Sequence, residues 1–290
     1  MSRIAFIGLG TMGLPMARVL RAAGHDVVGM DISADRRAAF DGACAPGAAG
    51  LADAEIVVTM LPEGKHVVDV HETVIRPGAA PGTLIIDCST IDVETARTLA
   101  DEADAAGLKL LDAPVSGGPA GAGSGTLSFM VGGQDIAFQA AGEVLGAMGS
   151  KITHFGAAGA GQAAKACHNM ICGITAMAVV EGFALADALN LDLYKFYGLC
   201  AGAAAQSWTL ENRCPIPGIV EDAPSSNGFE PGFAAALMAK DLRLAQKAAR
   251  TSGQPVPFGK EAAEAFTAFA ETHGDLDFSA IYRTVRAGAQ

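Results

Sequence analysis

Short apolar runs alternate with amphipathic segments over the first 160 positions of the chain. The runs predict strands at 4–7, 27–30, 56–60, 84–87, 109–112, 127–131 and 152–155. Between them, apolar positions spaced by three or four residues predict helices near 12–23, 34–41, 65–76, 92–106 and 135–148. Strands that alternate with helices are typical of βαβ units. The pattern therefore predicts an α/β domain with a doubly wound, mostly parallel sheet.

The glycine-rich segment GAAGAG at 156–161 predicts a flexible joint, and the pattern changes after it. Residues 162–189 predict one long helix, and no strand pattern follows it. Further helices are expected near 192–211, 232–252, 258–272 and 278–286, with the proline-rich segment 214–231 as a loop. We therefore expect a sheet domain over 1–160 and an all-helical domain over 161–290, with the ligand cleft at their junction.

Composition excludes several classes of protein. Half of the 290 residues are hydrophobic, which is enough for one large core or two moderate ones. The net charge of -11 argues against nucleic acid or an anionic membrane as a partner. Asn169 and Glu181 bracket the most apolar stretch, so no membrane span is expected.

Scattered cysteines and a lone histidine complete this picture. Six cysteines without CxxC spacing, and no signal peptide, indicate reduced thiols in a cytoplasmic protein. His168 has no second ligand at metal-binding spacing on its helix, so we expect no metal site.

The segment IAFIGLGTMGLPM at 4–16 places three glycines between a predicted strand and a predicted helix. In such a motif Gly8 allows a tight turn, Gly10 lets a pyrophosphate approach the backbone, and Gly13 lets helix and strand pack closely. The helix N-terminus adds N–H groups and the positive end of its dipole. The motif predicts a Rossmann-type dinucleotide-binding domain. The expected cofactor contacts along the loop are Gly8, Leu9, Gly10, Thr11, Met12 and Gly13.

Asp31 ends the second predicted strand, where a carboxylate accepts hydrogen bonds from the adenosine ribose. This carboxylate would repel a 2′-phosphate, so the expected cofactor is NAD rather than NADP. Arg36 and Arg37 follow closely and could attract that phosphate, although a solvated helix start explains them more simply.

Two further segments carry candidate chemistry. Ser116, Gly117 and Gly118 follow a strand end, where their hydroxyl and N–H groups could hold a carboxylate or simply form a turn. Lys165 and Asn169 are four residues apart and share one face of the long helix. Lys165 could be an ordinary surface lysine or a partly desolvated lysine that transfers protons. Its apolar neighbours favour the second interpretation.

Together these segments resemble the β-hydroxyacid dehydrogenases. Four blocks are similar to that family's signatures and follow in its order: FIGLGTMGLPM at 6–16, DAPVSGGPAGA at 112–122, GAGQAAKACHNM at 159–170 and KDLRLA at 240–245. SWTLENRCPIPG at 207–218 and PGFAAALMAKDL at 231–242 are most similar to the branch that acts on 3-hydroxyisobutyrate. The resemblance covers nearly the whole chain.

The resemblance implies reversible NAD-dependent oxidation of 3-hydroxyisobutyrate to methylmalonate semialdehyde, a step of valine catabolism, by a homodimer or homotetramer. It implies that Lys165 transfers the proton. Ser116, Gly117 and Gly118 would hold the substrate carboxylate, and Asn169 would orient Lys165 or bind the substrate. The further cofactor contacts that it implies are Leu61, Pro62, Thr90 and Lys240.

Several alternatives stay open. The same site could reduce tartronate, succinic or glyoxylic semialdehyde. The fold could also serve a non-catalytic nucleotide-binding scaffold, although Lys165 argues for an enzyme. His66 replaces a common family asparagine and could equally be a surface residue. Trp208 could line a pocket or belong to the core, and Lys240 could simply pair with Asp241.

Overall fold

Nine strands form one sheet in the first of two structural units. The computed structural model describes residues 1–45, 47–51 and 53–287. The first unit comprises Met1–Lys165, and the second begins at Ala166. Within the described residues the second unit is helical, with a single isolated bridge between Ala234 and Asp277.

The strands follow the topology of a doubly wound fold. They are β1 (Arg3–Ile7), β2 (Asp26–Met30), β3 (Ala43–Cys44), β4 (Ile56–Thr59), β5 (Leu84–Asp87), β6 (Lys109–Asp112), β7 (Val115–Ser116), β8 (Leu127–Gly132) and β9 (Gly149–Gly156). Their order is β3-β2-β1-β4-β5-β6-β8-β7, and β9 pairs with β8. The strands from β3 to β6 are parallel, whereas β8 runs antiparallel to β6 and β7. The predicted mostly parallel sheet is therefore confirmed.

Apolar side chains cover both faces of the sheet. In β1, Ile4 and Phe6 belong to one buried cluster, and Ala5 and Ile7 belong to another. A parallel sheet covered by helices needs such continuous apolar strands, because each side chain meets a helix on its own face. This is why β1, β4, β5 and β6 could be located from runs of apolar residues.

Among the described residues, eight helices belong wholly to the first unit. They are α1 (Gly13–Ala22), α2 (Ala34–Ala39), α3 (Gly64–Val70), α4 (Arg76–Gly78), α5 (Val93–Ala105), α6 (Gly118–Ser124), α7 (Asp135–Ala140) and α8 (Gly142–Met148). A π-helical turn, His71–Ile75, joins α3 to α4, and a 3₁₀ turn covers Gly47–Leu51. The helix expected at 135–148 is thus two helices, and the one expected at 65–76 is interrupted. The strands β3 and β7, of two residues each, were too short for a periodic pattern.

Helix α9 (Ala160–Ala188) begins in the first unit and continues into the second. The other helices are α10 (Leu193–Ala201), α11 (Trp208–Arg213), α12 (Ala235–Ser252), α13 (Pro257–His273) and α14 (Tyr282–Ala287). Short 3₁₀ turns cover Pro224–Asn227 and Phe278–Ile281. The expected helix at 192–211 is broken into two, and the expected loop at 214–231 contains one of the 3₁₀ turns.

Helix α9 is long and apolar enough to cross a membrane, as judged by length and composition alone. A single such helix is weak support for a membrane span, because core helices of folded domains meet the same criteria. Ala176, Val180 and Phe183 of α9 are buried in the core of the second unit. One face of α9 therefore packs in the core of the second unit.

His71 lies in the π-helical turn and is buried, with no hydrogen-bond partner at either ring nitrogen. Burial lowers the pKa of His71 below its usual 6.5, and this effect is partly opposed by Glu102, whose carboxylate lies 3.9 Å from Nδ1. The folded protein therefore prefers the neutral ring, whereas the unfolded chain takes up a proton as the pH falls through about 6.5.

We expect stability to fall on acidification by up to ~1.4 kcal/mol per pH unit in this window, because one proton binds preferentially to the unfolded chain. His71→Leu should remove this contribution. Urea denaturation between pH 5 and pH 8 measures it. As the pH falls below about 6.5, the free energy of unfolding should decrease less in the variant than in the wild type. Parallel curves over the whole range would show that His71 does not control the acid sensitivity.

Candidate active site

The loop between β1 and α1 is shaped by close backbone contacts. A Cβ at Gly13 would overlap the carbonyl oxygen of Gly8, and a Cβ at Gly8 would overlap that of Met60. A Cβ at Gly10 would meet only Arg36 Nη1, at 4.0 Å. Helix α1 begins without a side-chain cap at Met12. The open side at Gly10 and the uncapped helix start fit the pyrophosphate of a dinucleotide.

Asp31 follows β2 and supports this loop from within. Its side chain is only 4% exposed. Its Oδ2 accepts a hydrogen bond from Leu9 N at 2.8 Å, and its Oδ1 accepts one from Ser33 N at 2.8 Å. Each carboxylate oxygen can accept further bonds. The position therefore suits the expected ribose contact, but Asp31 also holds the glycine loop in place, which the sequence did not reveal.

The residues after Asp31 bear on the choice of cofactor. Arg37 donates through Nη1 to the carbonyl oxygens of Asp31 (2.5 Å) and Ile32 (3.2 Å), so its guanidinium is engaged with backbone. Arg36 Nη1 lies 3.7 Å from Asp31 Oδ2. Ile32 is fully exposed. This exposed isoleucine lies beside the carboxylate expected to contact the ribose, and sequence reasoning had not singled it out.

The carboxyl ends of β4 and β5 are tied together by buried polar groups. Asp87 Oδ1 accepts hydrogen bonds from Thr59 Oγ1 at 2.7 Å and Ser89 N at 3.1 Å, and Leu61 N donates to Ser89 Oγ at 2.9 Å. Burial raises the pKa of Asp87 to about 6. These bonds fix the segments that carry Leu61, Pro62 and Thr90 at the sheet edge where open α/β folds bind ligands.

The segment expected to bind the substrate carboxylate is a strand that turns into a helix. Ser116 ends β7, and Gly118 begins α6. Gly117 between them has φ +135°, a conformation that residues with a side chain rarely adopt. The sequence left open whether this segment holds a carboxylate or simply forms a turn. The structure adds a short helix, so the backbone N–H groups of this segment belong to a helix start.

Lys165 lies directly beside this segment. Its side chain is buried, with 7% of its surface exposed, and its Nζ donates a hydrogen bond to Val115 O at 2.7 Å. The ammonium group is therefore held next to Ser116. The predicted proton-transfer lysine and the predicted carboxylate-binding segment are brought together within the first unit.

Asp112, at the end of β6, caps the start of helix α9. Its Oδ1 accepts a hydrogen bond from Gly159 N at 2.8 Å, and its Oδ2 accepts one from Gln162 N at 2.9 Å. Burial raises the pKa of Asp112, although these backbone N–H groups oppose the shift. The sequence analysis had assigned Asp112 and Gln162 no role, although both lie inside the motifs that it singled out.

Asn169 lies one turn after Lys165 on α9 and belongs to the second unit. Its Nδ2 donates to Asp241 Oδ2 at 2.5 Å, and its Oδ1 lies 2.8 Å from His168 Nδ1. Lys240 Nζ lies 3.7 Å from Asp241 Oδ1. Asp241 is thus a buried partner of Asn169 that sequence reasoning had treated only as a possible surface pair for Lys240.

The sequence left the roles of His66 and Trp208 open, and the structure shows the surroundings of both. His66 is partly buried, and its Nδ1 has no hydrogen-bond partner. Trp208 is 55% exposed, with the guanidinium of Arg213 5.1 Å from its ring centre, so it is not a core residue. Among the described residues no group of three or more His, Cys, Asp or Glu side chains could hold a metal ion.

A Rossmann-type sheet with an open glycine loop, and a buried lysine beside the strand-to-helix turn at Ser116, are features of a nicotinamide-dependent dehydrogenase. Two family models match the chain. The first, described as "NAD binding domain of 6-phosphogluconate dehydrogenase", matches residues 3–156. The second, described as "NAD-binding of NADP-dependent 3-hydroxyisobutyrate dehydrogenase", matches residues 159–285. The chain belongs to the β-hydroxyacid dehydrogenase family, and its cofactor is NAD.

Full-length relatives support this assignment. The chain is 45% identical to the probable 3-hydroxyisobutyrate dehydrogenase of Mycobacterium tuberculosis, over 100% of this chain and 99% of the relative. It is 39% identical to the NAD-dependent L-serine dehydrogenase of Pseudomonas aeruginosa, over 98% and 97% of the two chains. A solved structure of Mycobacterium tuberculosis 3-hydroxyisobutyrate dehydrogenase with L-serine superposes with a TM-score of 0.94, at 44% identity and 99% coverage of both chains.

Asp31→Asn should narrow the preference for NAD over NADP by about tenfold, equivalent to ~1.4 kcal/mol. The substitution removes the charge that would repel a 2′-phosphate and keeps one oxygen for Leu9 N or Ser33 N. Comparison of kcat/KM for the two cofactors measures the effect. Asp35→Asn, on the exposed side of α2, is the matched control and should leave the ratio unchanged. A wild-type enzyme that favours NADP would contradict the assignment of Asp31.

Proposed function

We propose that this protein catalyses reversible NAD-dependent oxidation of 3-hydroxyisobutyrate to methylmalonate semialdehyde, a step of valine catabolism. The observation that carries the proposal is the position of Lys165, whose ammonium donates to Val115 O, the carbonyl that directly precedes Ser116. A proton-transfer group and an anion-binding turn lie side by side. A small acid with a hydroxyl near its carboxylate fits that arrangement.

The carboxylate of the substrate binds at Ser116, Gly117 and Gly118. The hydroxyl of Ser116 and backbone N–H groups at the start of α6 are suitable donors for an anion. The net charge of -11 offers no general attraction for an acid, so local donors must supply the affinity. The substrate hydroxyl then faces Lys165 rather than bulk solvent.

Lys165 carries the proton step. NAD held at the glycine loop would supply the hydride acceptor for the oxidation. The neutral amine of Lys165 takes the hydroxyl proton during oxidation, and in the reverse direction the ammonium so formed donates that proton to the carbonyl oxygen. Its bond to Val115 O restricts the long side chain to one direction. Proton transfer by a positioned group is typically worth ~10²–10⁴-fold in rate.

The remaining roles are proposed on the family resemblance. The glycine loop, Asp31, Leu61, Pro62 and Thr90 contact NAD from the first unit. Lys240 also contacts the cofactor, and Asn169 orients Lys165 or binds the substrate. The first unit acts as the cofactor domain, and the second as the substrate and oligomerisation domain.

A homodimer or homotetramer is proposed for the assembled enzyme. Large apolar side chains are exposed on α9, α10 and the turn between them, where a second copy could cover them: Leu185, Leu189, Leu191, Tyr194 and Leu199. A monomer in sedimentation equilibrium would contradict this assembly. The six free thiols support a reducing, cytoplasmic location.

L-serine is a second candidate substrate. A relative is named L-serine dehydrogenase, and the solved Mycobacterium tuberculosis structure contains L-serine. L-serine is also a 3-hydroxy acid and carries an amino group where 3-hydroxyisobutyrate carries a methyl group. Steady-state assays with both acids and NAD separate the two, since the true substrate has the higher kcat/KM.

Lys165→Ala should lower kcat by roughly 10²–10⁴-fold, because the proton step loses its acid–base group. NAD affinity should stay near the wild-type value, since the glycine loop holds the phosphates. Lys165→Arg should restore little, because a guanidinium keeps its proton. Measurements of kcat, of the NAD dissociation constant and of melting temperature check these expectations.

Lys151→Ala, at an exposed lysine of β9 in the same unit, is the matched control and should behave as wild type. Near-normal kcat in Lys165→Ala would disprove the proposed role. Joint loss of NAD binding and thermal stability would assign Lys165 to structure instead.

The methyl ester of 3-hydroxyisobutyrate should turn over with kcat/KM lower by roughly 10–100-fold, because a charge-assisted hydrogen bond worth ~1.5–3 kcal/mol is lost. Ser116→Ala should narrow the difference between acid and ester. Ser124→Ala, at the exposed end of α6, should not. Equal turnover of acid and ester by the wild type would rule out the carboxylate anchor.

A further inference from the structure

Gln162 is a fully buried amide in the first turn of α9, where only 1% of its surface is exposed. Its side-chain Oε1 accepts a hydrogen bond from Ile91 N at 3.1 Å, and its Nε2 donates one to Ser89 O at 2.8 Å. Both ends of the amide therefore pair with the loop after β5. A buried amide is costly unless both ends are satisfied, so these bonds hold the two segments together.

The two bonds enclose Thr90. The amide accepts from the N–H of residue i+2 and donates to the carbonyl oxygen of residue i. A neighbouring parallel β-strand pairs with the backbone in the same way. Gln162 therefore fixes the peptide groups on both sides of Thr90. Leu61 N also donates to Ser89 Oγ, so the β4 end is attached to the same loop.

The backbone of Gln162 is hydrogen-bonded to the segment that leads to the turn at 116–118. Its backbone N donates to Asp112 Oδ2 at 2.9 Å. Lys165 lies three residues further along the helix, about 4.5 Å along its axis, and donates to Val115 O. The start of α9 is thus held between the loop at 89–91 and the segment at 112–116, with Lys165 at the next turn.

We infer that Gln162 is a positioning residue, which sets the place of the Lys165 ammonium relative to the loop around Thr90. This rests on the proposed function, in which Thr90 contacts NAD and Lys165 moves the proton. The helix start is already capped by Asp112. A buried amide is therefore not needed to begin the helix, and an apolar side chain of similar size could fill the space.

Gln162→Met keeps the length of the side chain and removes both bonds to the loop. We expect kcat with 3-hydroxyisobutyrate to fall roughly 10–100-fold, since a misplacement of about 1 Å can cost 10²-fold. The KM for the acid should change by less than about threefold, because the carboxylate anchor at 116–118 is untouched. Thr83→Val removes a partly buried hydrogen bond to Ala80 O before β5 begins and is the matched stability control. An equal loss of kcat in both variants, or none in Gln162→Met, would overturn the inference.

Gln162→Glu offers a test through pH. When protonated, the new carboxylic acid can donate to Ser89 O and accept from Ile91 N, as the amide does. When ionised, it repels the carbonyl and lies near Asp112. The ratio of its kcat to that of the wild type should therefore rise as the pH falls from 9 to 6, whereas the ratio for Gln162→Met should stay flat. A flat ratio for both variants contradicts a role for these two hydrogen bonds.

Amide hydrogen exchange gives a readout that does not need turnover. Addition of NADH to the wild type should slow exchange in the loop at 89–91 and in the first turn of α9. In Gln162→Met, NADH should still slow exchange in the loop at 89–91 but should leave exchange in the first turn of α9 unchanged. Persistent protection of the helix turn would overturn the inference. A wild type that binds NADH but oxidises neither acid would count against the proposed function, while the exchange data still decide the role of Gln162.

Discussion

The carboxylate of Asp112 accepts hydrogen bonds from backbone N–H groups at the start of the 29-residue helix α9. The geometry of the candidate active site depends on that contact. The first N–H groups of a helix have no partners within it, and burial makes unpaired groups costly. A carboxylate at the end of β6 supplies two acceptors at once and favours the positive end of the helix dipole. Burial raises the pKa of Asp112, so this cap is maintained against a desolvation cost. The direction of α9, and with it the place of Lys165, follows from the end of a strand.

Close packing at this cap leaves little freedom. A Cβ at Gly161 would overlap the carbonyl oxygens of Met130 and Asp112, and a Cβ at Gly132 would crowd Asp112 Oδ1. The glycine-rich segment before Lys165 looked in sequence like a flexible joint. In the structure it is a close approach between β6, β8 and the helix start. Glycine is needed at these positions because a side chain would not fit, and not because the segment has to be flexible.

Much of the fold could be predicted because its strands are buried on both faces. Runs such as Ile4–Ile7 and Leu84–Asp87 stand out in sequence when each side chain meets apolar neighbours. The Gly8–Gly13 loop and Lys165 could be located because a fixed spacing encodes a local geometry. Short elements such as β7 and α6 could not, since they arise from contacts with β8 and from backbone angles at Gly117.

The polar contacts that complete the site were out of reach for a different reason. Gln162 pairs with residues 71 and 73 positions earlier in the chain, and Asn169 pairs with Asp241, 72 positions later. A single sequence carries no signal for such distant pairs, because glutamine and asparagine are common on helix surfaces. What marks them is burial combined with full hydrogen bonding, and both are visible only after the chain has folded.

Asp31 shows how one residue can tie cofactor choice to loop stability. Its two oxygens accept from Leu9 N and Ser33 N, so the carboxylate expected to disfavour a 2′-phosphate also supports the glycine loop. Loss of these bonds would leave a backbone N–H unpaired at the loop, at a cost of ~1–3 kcal/mol. Arg37 Nη1 is engaged with the carbonyls of Asp31 and Ile32, and the other N–H groups of its guanidinium can donate elsewhere. The bonds of Asp31 to Leu9 N and Ser33 N connect the residue expected to contact the ribose with the shape of the glycine loop, so a substitution at Asp31 acts on both.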